Sequence, residues 1–66
     1  MLAYDNETML INIQNTACDI ASHPFGSEIV LHVLSNFGAK SIEDLSPAHY
    51  SEAFDELDYI ASDLRN

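Results

Sequence analysis

Apolar residues recur along this chain at intervals of three and four, and two breaks divide the recurrence into three runs. In the first run, Met9, Leu10, Ile13, Ala17, Ile20 and Ala21 share one side of a helix with 3.6 residues per turn. The pattern predicts a helix from about Asn6 to Ser22. Asp5 or Asn6 would cap its start, with Glu7 placed favourably at the positive end of the helix dipole. Pro24 disfavours helical geometry at His23 and closes the run.

The second run begins at Pro24, a residue suited to a first helical position, with Ser22 or His23 as its cap. Phe25, Ile29, Val30, Val33, Leu34 and Phe37 give it a wide apolar face. The β-branched stretch Ile29 to Leu34 also fits a buried strand. No other segment alternates with period two to pair with it, so helix is the reading adopted. Gly38 follows Phe37, where a left-handed residue ends a helix.

Ala39 to Ser46 forms a compact connection. Ser41 and Asp44 stand three apart, like a capping box with Asp in place of Glu. One helical turn is expected through Ile42, Glu43, Asp44 and Leu45, with Ile42 and Leu45 entering the core. Ser46-Pro47 then repeats the cap-and-proline signal. The last helix runs from Pro47 to about Leu64 on the stripe Tyr50, Ala53, Phe54, Leu57, Ile60, Ala61 and Leu64. The expected fold is all-α: a small three-helix bundle with an extra short helical turn near residues 42–45. It forms a single acidic domain over 1–66.

The length permits one domain with a small core. Cys18 is alone, which excludes an internal disulfide and fits a reducing compartment. The chain starts with Met1 and reads as a complete small protein. Asp5 and Glu7 stand where a secretory leader would carry positive charge. No apolar stretch approaches the roughly 20 residues of a membrane span. A cytoplasmic protein without membrane association is expected.

Charge changes the picture most. Eleven Asp and Glu face only Lys40 and Arg65, for a net charge of −9. Phosphate backbones and anionic membranes repel such a chain, so direct nucleic-acid binding is not expected. High net charge can also accompany disorder, but 47% hydrophobic residues in helical register favour folding.

The stretch from Phe37 to Leu57 resembles short helical modules of phage proteins, namely the C-terminal regions of single-strand annealing recombinases and some antirepressors. In those modules a helix ending in Phe-Gly leads through a small-Ser-Ile-x-Asp-Leu turn into an amphipathic helix, as Phe37-Gly38-Ala39-Lys40-Ser41-Ile42-Glu43-Asp44-Leu45 does here. The resemblance carries over no catalytic or binding residue, and this chain lacks the accompanying annealing domain. It implies an origin in phage or mobile DNA. Small acidic proteins of that setting include inhibitors of host defence, such as anti-CRISPR and anti-restriction proteins.

The acids gather toward the C-terminal half: Glu43, Asp44, Glu52, Asp55, Glu56, Asp58 and Asp63 are seven of the eleven. Like charges three and four apart on a helix repel, and no Lys is interleaved to offset them. A sequence shaped by stability alone would mix the signs. Carboxylates one turn apart are separated by roughly 5–6 Å, near the spacing of phosphates along a strand. Glu43, Asp44, Glu52, Asp55, Glu56, Tyr59 and Asp63 are therefore the candidate partner-binding residues, facing a protein with a basic surface. The competing reading is a solvated face that keeps the chain dispersed. Tyr50 belongs to the core stripe and Tyr59 lies off it, while Tyr4 fits either environment.

Chemistry is less well represented. His23, His32 and His49 form no helical pair, and one Cys completes no ligand set, so no metal is expected. His23 and His49 flank prolines and are expected to be exposed; His32, between apolar neighbours, fits a packed or interfacial place. Asp19 beside Cys18 disfavours the thiolate. No glycine-rich phosphate loop occurs, and neither catalysis nor a cofactor is expected. Two other functions compete with the acidic regulator: a homodimeric assembly module whose acidity serves solubility, and a nucleic-acid-binding recombination module.

Overall fold

A computed structural model describes residues 5–65, so Tyr4 lies outside the described residues. Three α-helices follow in order: α1 (Asn6–Ala21), α2 (Gly26–Ser35) and α3 (Tyr50–Arg65), with a 3-10 turn at Pro47–His49 leading into α3. The protein is an all-α three-helix bundle, and among the described residues there is no strand.

Helix α1 begins where Asp5 caps it: the Asp5 carboxylate accepts the Thr8 backbone N–H at 2.7 Å. Its inward face is Ile13, Ala17 and Ile20, all buried, flanked by Met9 and Leu10. Helix α3 meets it with Tyr50, Ala53, Leu57 and Ala61. Ala17, Ala53 and Ala61 are small, so the two backbones approach closely around Leu57, which is wholly buried. Removing that side chain to Cβ would cost about 2–5 kcal/mol. Of the three α-helix pairs, α1–α3 is the most extensive and α2–α3 the least.

Helix direction follows from the ends. Asn6 and Met9 of α1 lie beside Tyr50 and Ser51 of α3. At the other end the Arg65 guanidinium reaches the Asp19 carboxylate at 3.3 Å. The two helices are therefore parallel, with α2 returning between their ends. Asp19 sits at the negative end of α1, where Arg65 offsets an unfavourable charge–dipole contact. Both side chains are about half exposed, so the pair adds little stability by itself.

The close of α2 follows the expectation. Gly38 adopts φ 75°, the Gly38 N–H donates to the Ser35 carbonyl at 3.0 Å, and the Ala39 N–H donates to the Leu34 carbonyl at 3.1 Å. This pair of bonds is the Schellman closure, and the accompanying contact of Leu34 and Ala39 is buried. The helix itself stops at Ser35 rather than Phe37. The turn near residues 42–45 is built from successive N–H donations, Asp44 to the Ser41 carbonyl and Leu45 to the Ile42 carbonyl, both 3.1 Å. Leu45 is buried and Ile42 partly so, as the pattern predicts.

The start of α2 departs from expectation. It begins at Gly26 rather than Pro24, and neither Ser22 nor His23 caps it; Phe25 occupies the cap position without a side-chain hydrogen bond. Phe25 is left-handed, with φ 63°, and its ring is 77% exposed rather than part of the apolar face. The cause is tertiary. Only Ser22 to Phe25 separate the helices, and α2 starts directly against the last turn of α1. Ala21, also expected on the apolar face, is exposed. His23 and His49 are half-buried, not exposed; the His49 ring lies 5.4 Å from the Phe37 ring, which shields it.

Candidate partner-binding face

Ser46 and Pro47 set the orientation of α3. The Ser46 hydroxyl accepts the Ala48 N–H at 3.4 Å, and the 3-10 turn delivers Tyr50 into the core. With Tyr50, Ala53, Leu57 and Ala61 pointing inward, helical geometry fixes the opposite side. Glu52, Asp55, Glu56, Tyr59 and Asp63 fall within a sector of roughly 100°, and all five are exposed. Tyr59 is 78% exposed, an aromatic ring amid four carboxylates.

Both cations of the sequence lie elsewhere. Arg65 is engaged with Asp19, and Lys40 borders a groove on α1 and α2. The Arg65–Asp19 pair is the sole salt bridge among the described residues. The carboxylates of the α3 face are thus uncompensated. Asp63 also stands in the last turn of α3, where the carbonyl end of the helix repels negative charge.

Glu43 and Asp44 belong to a different element. Asp44 is used in building the connection: its carboxylate accepts the Lys40 N–H at 3.0 Å and its own N–H donates to the Ser41 hydroxyl at 3.2 Å. The Ser41 half of the anticipated capping box is therefore present, while the Asp44 carboxylate takes the Lys40 N–H in place of that of Ser41. Glu43 is exposed beside it.

A cleft and a groove adjoin these elements. Between α2 and α3, a cleft of about 430 Å³ is lined by His32, Val33 and Asn36 on one side and Asp55, Glu56, Tyr59 and Ile60 on the other. Helix α2 has 10 residues against the 16 of α3. Three candidate residues, Asp55, Glu56 and Tyr59, thus form one wall of a cleft. Sequence reasoning missed its other wall. The available signal was His32 and Asn36 at a helical spacing of four, beside the apolar Val33.

The second is an open apolar groove of about 440 Å³ between α1 and α2, floored by Ala17, Val30 and Leu34. The free Cys18 and the half-exposed Leu31 border it, with Lys40 and Ile42 at one end. None of the residues lining it is acidic.

Among the described residues, no group of three or more His, Cys, Asp or Glu side chains could hold a metal ion. No helix among them is long and apolar enough to cross a membrane. The hydrogen bonds from Thr8, the backbone N–H first, hold the Asp5 carboxyl below the ordinary 3.8.

Fold and site together define a small helical protein with one uncompensated acidic face. No known family model matches the chain, and neither curated proteins nor solved structures show significant similarity to it.

Proposed function

We propose that this protein is an acidic protein-binding inhibitor or regulator that covers a basic, nucleic-acid-binding surface of a partner. The observation that carries this reading is the α3 face: four exposed carboxylates and Tyr59 on one side of a helix, with both cations of the chain placed elsewhere. Such a face costs stability through like-charge repulsion, and it offers a basic partner a row of acceptors without competing cations. The likeness of Phe37 to Leu57 to phage helical modules supports a phage or mobile-element setting, in which an inhibitor of a host nucleic-acid-binding protein has a use.

The test is affinity capture from host lysate at low and high salt. The quadruple variant Glu52→Ala, Asp55→Ala, Glu56→Ala, Asp63→Ala serves as comparison. All four positions are exposed and Ala is a strong helix former, so the fold is retained. The reading expects a partner held at low salt, released at high salt and lost by the variant. Equal retention by both proteins overturns it.

A second reading, homodimeric assembly, is favoured by the α1–α2 groove. Two molecules of charge −9 can associate only where carboxylates are kept apart, and no acid lines that groove. Sedimentation at micromolar concentration separates the readings: a salt-insensitive dimer supports assembly, and a monomer excludes it.

A further inference from the structure

The geometry points to an arginine side chain of the basic partner as the occupant of the α2–α3 cleft. This inference rests on the acidic-face reading and specifies how that face recognises its partner.

The cleft combines three features. Val33, buried on α2, and Ile60, half-buried on α3, give it an apolar floor. Asp55 and Glu56 supply carboxylates at its rim, and neither has an ion-pair partner within the protein among the described residues. Tyr59 adds an aromatic ring free on most of its surface. An arginine matches each in turn. Its methylene stem covers apolar side chains while its head remains at the rim. Its planar guanidinium presents a fork of donors that matches a rim carboxylate. The same plane stacks on a tyrosine ring, where a lysine ammonium makes a less extensive contact. Asn36, on the α2 wall, adds a side-chain carbonyl acceptor. An acidic or purely apolar occupant would leave the two rim carboxylates repelled or desolvated without a partner.

The test compares fluorescein-labelled octa-arginine and octa-lysine peptides, which carry equal charge. Binding to the intact protein is read by anisotropy, and contact is mapped by ¹H–¹⁵N chemical shifts. Octa-arginine should bind more tightly by about two- to fivefold, the contribution of a guanidinium–aromatic contact at an exposed site. It should move the backbone amides of His32, Val33 and Asn36 on α2 as well as those of α3. Tyr59→Ala should abolish the preference, whereas Glu52→Gln, outside the cleft, should weaken both peptides equally. Tyr59 is exposed, so its truncation leaves the core intact. Equal binding of the two peptides with shifts confined to α3 overturns the cleft occupancy and leaves the acidic face standing. Failure of both peptides to bind at low salt overturns the two together.

Discussion

Gly26 stands against the carbonyl of Ile20 so closely that a Cβ at position 26 would fall on that oxygen and come within 2.8 Å of the Ala21 Cα. Both obstacles are backbone atoms in the last turn of α1, so no side chain can rotate aside. Gly26→Ala must push α2 away from α1 and disturb Val30 and Leu34, which are buried where the two helices meet. The expected loss is at least about 3 kcal/mol, at the upper end of overpacking effects. For a domain of this length that is a large share of the total stability. Thermal unfolding followed by circular dichroism measures it, and a variant as stable as the parent contradicts the close approach.

The residue before it carries the opposite expectation. Phe25 holds φ 63° with its ring largely in solvent. A left-handed conformation costs a residue with a Cβ roughly 1–2 kcal/mol, and glycine avoids that cost. Against this stands the greater freedom of glycine in the unfolded chain, about 0.4–1 kcal/mol. Phe25→Gly should therefore stabilise the fold by about 0.5–1 kcal/mol. Urea titration decides the sign. Nothing in the fold explains why a phenylalanine occupies this position.

These two neighbours also mark where local reasoning ends. The three helices were legible because each inward face repeats at helical spacing. Gly38 was legible because a helix closure is specified within a few residues. The start of α2 was not. Pro24 satisfies the local rule for a first helical residue, but the true start is set by where α1 ends in space. The acidic face of α3 could be drawn from one helix alone. The cleft could not, since His32 and Asn36 meet Asp55 and Glu56 only through the packing of α2 across both neighbours. The half-buried His49 has the same origin, because Phe37 covers it from the far side of the connection.

The Asp5 cap gives the fold a pH dependence of known sign. The hydrogen bonds from Thr8 favour the ionised carboxyl and lower its folded-state pKa below 3.8. Its contribution is complete above the unfolded value and disappears as pH falls through the lowered folded value. Asp5→Ala should therefore lower the thermal midpoint at pH 6 and have no effect once the pH is below the folded value. Parallel melts of parent and variant across pH 2–6 follow the difference directly. A gap that persists unchanged at the acid end would assign the effect to something other than the ionised cap.

The charge pattern of α3 separates stability from binding. Glu56 follows Glu52 by four residues, an arrangement that repels on a helix surface. In Glu56→Lys the same positions become a Glu–Lys pair in the favourable order, which should add about 0.2–0.5 kcal/mol. Asp63→Lys should add a similar amount by placing a cation at the carbonyl end of the helix, about 0.3–1 kcal/mol at low ionic strength. Added sodium chloride should stabilise the parent by screening its repulsions and should stabilise the double variant less. Both substitutions remove acceptors from the proposed face, so capture of a basic partner should fall while the melting temperature rises. A face that serves dispersion alone predicts a different pair of results: higher stability with partner capture untouched. Measuring the two quantities on the same double variant therefore decides whether the repulsion along α3 is retained for binding.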